Sequence, residues 1–141
     1  MIIHGACHCR NITFALSWDP DPAEIPARAC ACSFCTKHGG VWTAHAKGSL
    51  RIEIGNPAQV SNYSFGTRTA QFHVCTRCGG VPVVTSRIGD RLYAVVNVNT
   101  FEDVDPSLLR RTPASFDGES EAARLERRTR NWIADVVFVG A

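Results

Sequence analysis

The chain has 141 residues, enough for one domain with a real core, and its 45% apolar and 20% charged shares are those of a folded globular protein. A net charge of +2 without a Lys/Arg block gives no footprint for nucleic acid, and no apolar run approaches the roughly 20 residues that span a bilayer. The opening Met1-Ile2-Ile3-His4-Gly5 lacks the basic and apolar stretches of a secretory leader, so a cytoplasmic protein with reduced thiols is expected.

In chain order, Ile12, Phe14, Leu16 and Trp18 alternate with Thr13, Ala15 and Ser17, which predicts a strand with one face inward. Trp18 to Arg28, with Pro20, Pro22 and Pro26, predicts a loop. Leu50, Ile52 and Ile54 repeat the strand pattern. So do Ala70, Phe72 and Val74, alternating with Gln71 and His73, a phase that turns His73 toward solvent. Val60 to Phe65 and Val81 to Thr85 carry less regular strand patterns, and Leu92 to Val98 is rich in β-branched and aromatic residues, as in a more buried strand. Turn signals separate these runs: Gly39-Gly40, Gly55-Asn56-Pro57, Gly66, Gly79-Gly80 and Gly89-Asp90. Pro106 to Leu109 predicts a single turn. Ala122, Leu125, Thr129 and Trp132 recur at helical spacing, and the basic stretch Arg124 to Arg130, which also carries Glu126, reads as a solvated helix face. With no repeat and no break in composition, residues 1–141 read as a single mainly β domain of antiparallel sheets with a short C-terminal helix.

The seven cysteines fall into three clusters: Cys7 and Cys9; Cys30, Cys32 and Cys35; Cys75 and Cys78. Their clustering and odd number point to metal ligation before disulfides. Four of them can close a tetrahedral zinc site, and three leave an open position for water or substrate, which is the division between structural and catalytic zinc. Cys75-Thr76-Arg77-Cys78-Gly79-Gly80 has the form of a zinc knuckle, in which the glycine after the pair accepts a positive φ. Cys7-His8-Cys9 places two more sulfurs on one side of the backbone, and joining the pairs would tie metal binding to folding.

Cys30-Ala31-Cys32-Ser33-Phe34-Cys35 can cap one face of an ion, and three thiolates make a soft site suited to sulfur ligands. A metal with a free position acts as a Lewis acid and lowers the pKa of a bound thiol or water. His38 and His45 are candidates for a fourth ligand or a base. Lys37 and Arg28 could receive the carboxylates of a glutathione-like ligand, and Trp42 and Phe34 either line a pocket or pack in the core. Two other readings of these residues stay open: a zinc-stabilised protein-binding module whose second metal is closed by a histidine, and a redox group that forms a reversible disulfide.

The order of these motifs resembles the glutathione-dependent formaldehyde-activating (Gfa-like) family. The resemblance is carried by Gly5-Ala6-Cys7-His8-Cys9, by Cys30 to Cys35 with Ser33, by Lys37-His38-Gly39, by Cys75 to Gly79 with Pro82, and by Asn97-Val98-Asn99-Thr100. Arg10, Ala31 and Gly80 depart from common family residues without removing a cysteine. The resemblance implies a β-tent fold, a structural zinc on Cys7, Cys9, Cys75 and Cys78, and a catalytic zinc on Cys30, Cys32 and Cys35. The activity it implies is that of a carbon–sulfur lyase, interconverting formaldehyde and glutathione with S-hydroxymethylglutathione. The expected partners are therefore a small thiol and an aldehyde.

Overall fold

The computed structural model describes residues 1–139. In chain order the elements are β1 (Ile2–Ala6), β2 (Ile12–Ser17), β3 (Ile25–Cys30), α1 (Ser33–His38), β4 (Val41–Thr43), β5 (Ser49–Ile54), β6 (Val60–Tyr63), β7 (Gln71–Cys75), β8 (Val83–Ile88), β9 (Arg91–Asn97), β10 (Leu109–Ala114), α2 (Glu121–Asn131) and β11 (Asp135–Val139). The strands form a four-stranded sheet, β1-β2-β5-β11, and a seven-stranded sheet, β10-β3-β4-β9-β8-β7-β6. The mainly β architecture expected from the sequence is the one found. Pairing is antiparallel inside both sheets, while β10 on β3 and β11 on β5 add parallel edge strands.

The alternation along β2 and β5 aims Ile12, Phe14, Leu16, Leu50 and Ile52 at one shared core, to which the other sheet contributes Val83, Ala94 and Val96. Opposite-phase residues of the same strands, Val84 and Val95, belong to a second apolar cluster with Trp42, Phe72 and Cys35. Strands β8 and β9 are thus covered on both faces. The second cluster is the floor of the cavity described below.

The double covering corrects the reading of His73. Its side of β7 does turn away from Phe72, but that side meets the other sheet and not solvent. His73 is 6% exposed, lies against the Phe138 ring of β11, and shares a 2.7 Å hydrogen bond with the Thr85 hydroxyl. Burial pulls its pKa down to about 4, so it is neutral in the native protein.

The expected loop to Arg28 instead ends in β3. Proline is tolerated there because β4 pairs only with Arg28 and Ala29, leaving Pro26 with β10 as its sole neighbour. The expected turn at Pro106 is a single 3-10 turn, capped by Asp105. Helix α2 is present, with Ser120 accepting from the Ala123 N–H at its start, but its buried side is not the expected one. Ala122 and Thr129 are exposed, whereas Arg128 is buried.

Candidate metal centres and an adjoining cavity

The turn from β1 to β2 carries Cys7 and Cys9, and the turn from β7 to β8 carries Cys75 and Cys78. Packing of the two sheets brings the turns together, so that the four Sγ atoms lie within 4.8 Å of one another. Two of the separations are 3.9 Å (Cys7–Cys9) and 3.5 Å (Cys9–Cys75). A tetrahedral ion with metal–sulfur bonds of ~2.3 Å has sulfur–sulfur edges of ~3.8 Å, so this donor set fits a zinc.

Local backbone serves the same end. Gly79 has φ +80°, and its N–H donates to the Cys75 carbonyl at 2.7 Å. A Cβ on Gly80 would stand 2.9 Å from the Cys7 Cβ, so bare backbone packs against that cysteine. The Ile12 N–H donates to the Cys7 sulfur at 3.3 Å. Burial pushes the Cys7 thiol up to about 12. Burial opposes ionisation of Cys78 too, yet the N–H groups of Cys9 and Gly80 pull it down to about 6. A cation is what would hold all four as thiolates together.

The second group forms where β3 runs into α1. Cys30 ends the strand, Cys32 is the N-cap and accepts from the Cys35 N–H at 3.3 Å, and Cys35 lies one turn into the helix. The three sulfurs also lie within 4.8 Å of one another. The Cys35 thiol, hydrogen-bonded to Cys30, pulls the latter down to about 5, with the Cys32 N–H and the charge of Arg127 adding to the effect. Cys35 moves the opposite way, raised by that same bond and by burial. The indole N–H of Trp42 donates to the Cys35 sulfur at 3.4 Å, inside the protein where water does not replace it.

Among the described residues no histidine joins this group. His38 is exposed with its ring against Phe34, His45 stacks on Trp18 with Nε2 3.2 Å from the Asp19 carbonyl, and His8 is exposed. Lys37 is exposed on α1 and does not reach the cavity. Phe34 packs on Phe72 at 4.7 Å in an aromatic cluster beside it. Trp42 fills both roles considered for it, packing on Phe72 and lining the cavity.

Cys30, Cys32 and Cys35 open onto a cavity of about 220 Å³. Its floor is the apolar face of the large sheet, including Trp42, Phe72, Val84 and Val95. Arg28 of β3 also lines it. The opposite wall is α2, through Arg124, Arg127 and Arg128. These arginines correct the reading of a solvated helix face. They stand at i, i+3 and i+4, the spacing of one helical face, and that was the signal available in the sequence. Arg127 and Arg128 pack instead through their guanidinium groups, over the Phe116 and Trp132 rings. Burial first, then the charges of Arg127 and Arg124, pull the Arg128 guanidinium down to about 10.

Residues 2–116 match a protein family described as the glutathione-dependent formaldehyde-activating enzyme. A crystal structure of a Rhodobacter sphaeroides protein is similar to this chain with a TM-score of 0.55 and 30% identity, over 77% of this chain and 99% of the other. Among curated proteins none matches.

Proposed function

The chain belongs to the glutathione-dependent formaldehyde-activating enzyme family, and from that premise we propose that it is a zinc-dependent carbon–sulfur lyase-type enzyme acting on a thiol–aldehyde adduct. Glutathione with formaldehyde, giving S-hydroxymethylglutathione, is the pair the family points to. The observation that carries the reading is a group of three cysteines, without a histidine among the described residues, opening onto a cavity.

In this reading Cys7, Cys9, Cys75 and Cys78 hold a structural zinc that pins one sheet to the other. Cys30, Cys32 and Cys35 would hold a catalytic zinc, which would supply Lewis-acid chemistry that keeps a substrate sulfur ionised at neutral pH. The protein's own groups prepare that site. The Cys32 N–H steadies Cys30, the Cys35 N–H steadies Cys32 and the Trp42 N–H steadies Cys35, so the three ligands keep their orientation. The apolar floor lowers the local dielectric, which strengthens charge interactions made against it. In the synthetic direction the sulfur lone pair bonds to the aldehyde carbon, the carbonyl π pair moves to oxygen, and a proton from solvent completes the hydroxyl. The lyase direction reverses these steps.

The alternative of a binding module with a closed second metal finds no fourth protein ligand among the described residues at this site. Seven unpaired thiols suit a reducing compartment such as the cytoplasm, and no helix among the described residues is long and apolar enough to cross a membrane. Exchange between formaldehyde–glutathione and the adduct, followed by NMR, tests the proposal. Acceleration over the uncatalysed rate is expected for the protein and its loss for Cys32→Ser. Equal rates for the two would refute the mechanism.

A further inference from the structure

We propose that α2 gives this cavity an anion-recognition wall, with Arg128 as the residue that selects thiol adducts carrying a carboxylate. The inference rests on the cavity being the thiol–aldehyde site and adds to it a segment, 121–131, that lies beyond the family-matched residues 2–116.

Arg128 is 7% exposed, yet among the described residues no carboxylate forms a salt bridge with it. The acidic partners on and before α2 go elsewhere: Glu119 binds Arg124 and Arg127, and Glu126 binds Arg130. Nη1 of Arg128 donates to two neutral hydroxyls, Thr69 at 2.8 Å and Ser86 at 3.1 Å. Its Nε is buried and has no hydrogen-bond partner among the described residues. The guanidinium carbon lies 4.9 Å from the Trp132 ring centroid, which fixes the plane but supplies no counter-charge. A buried charge left uncompensated is costly, and proteins pair such groups. Here the side left for a partner is the cavity that Arg128 lines.

The neighbouring arginines are held for the same purpose. Glu119 takes both prongs of Arg127, at 2.9 and 3.1 Å, and the Nε of Arg124 at 3.3 Å. Arg127 also lies 3.7 Å over the Phe116 ring. One carboxylate thus braces two guanidinium groups without neutralising both. With Arg28, four arginines face the cavity against Asp117 and, behind them, Glu119. The planar guanidinium fork matches a carboxylate, which can take two parallel N–H donors. The Cys30, Cys32 and Cys35 group would take the sulfur end of the same ligand. The cavity therefore offers both a soft group and a cationic one, and a thiol carrying a carboxylate matches both.

The test uses S-methylglutathione, which has no free thiol, and its diethyl ester, with binding to the zinc-loaded protein read from the fluorescence of Trp42 and Trp132. The unaltered protein should bind the acid at least about tenfold more tightly than the ester, a difference of one good charged contact. Arg128→Lys should lose at least about threefold of that preference, because it keeps the charge and loses the fork. Arg128→Met should abolish the preference. A merely structural role for Arg128 would weaken acid and ester alike and leave their ratio unchanged. Equal binding of acid and ester by the unaltered protein would overturn the proposal whether or not a variant folds, and so would an unchanged ratio in Arg128→Lys. Binding of these thioethers needs no turnover. A preference for the acid without thiol–aldehyde exchange would sink the reaction and leave the wall standing, and exchange without a preference would do the reverse.

Discussion

Trp42→Phe should weaken the second metal site and spare the first. In the native protein the indole N–H donates to the Cys35 sulfur at 3.4 Å, with Trp42 8% and Cys35 3% exposed, so no solvent donor takes over when it is removed. Phenylalanine keeps a ring over Gly40, where an added Cβ would stand 2.7 Å from the Trp42 ring, and keeps the edge contact with Phe72. The substitution therefore removes mainly one donor to a ligating sulfur. A hydrogen bond to a charged group contributes about 1.5–3 kcal/mol, which is about 10- to 100-fold in affinity, the range typical for groups that orient metal ligands. Zinc transfer to a chromogenic chelator should show two classes of ion. The variant should release the weaker class at about 10- to 100-fold lower chelator strength and the tighter class unchanged. Unchanged release of both classes would refute the role given to this N–H. An equal shift in both would mean that the substitution acts through global stability.

Cys78→Ser should remove the tighter zinc and lower stability by at least about 3 kcal/mol, since a structural zinc supplies a large part of folding energy, whereas Cys32→Ser should melt near the native temperature. Calorimetry that found the two variants equally destabilised would contradict the separation of roles. Arg10 has φ +67° and an exposed ion pair with Glu102, so the left-handed backbone outweighs the pair. Arg10→Gly should therefore be more stable than Arg10→Ala by about 1 kcal/mol in denaturant unfolding, and the reverse order would refute the strain. Hydrogen bonding from Arg127 holds the Glu119 carboxyl below its usual 4.5. A depressed carboxyl stabilises the protein above the unfolded value and loses that contribution as pH falls through the folded one. The stability advantage of native protein over Glu119→Gln should thus shrink as pH falls through and below 4.5, and a constant difference would remove this pair from the wall's support.

The parts of the fold legible in the sequence are those where one physical requirement dominates. Strands β2 and β5 face a core on one side only, so Ile12, Phe14, Leu16, Leu50 and Ile52 announce themselves by alternation. The cysteines announce themselves by spacing, because two sulfurs near one ion need short, turning backbone between them. His73 was misread because alternation tells which side of a strand a residue takes, not what covers that side. The edge strand β10 escaped notice because Arg110, Arg111, Thr112 and Pro113 are all exposed, so no buried phase marks it. Helix α2 follows from its apolar period, yet on its buried side Arg128 donates through its guanidinium to Thr69 and Ser86. Hydrophobicity alone misassigns such a face. The i, i+3, i+4 arginines would have shown it only to a reader who already suspected a polar cavity.

In the proposed enzyme the Cys30, Cys32 and Cys35 site keeps a metal position free for a substrate sulfur. Replacing both zinc ions by cobalt(II) reads that position directly, through the sulfur-to-metal charge-transfer absorption. Added glutathione should raise the absorption of one cobalt by about one thiolate's worth, leave the four-cysteine cobalt unchanged, and have no such effect in Cys32→Ser. A spectrum that glutathione leaves unchanged would mean that the second metal is already closed, and would contradict the account.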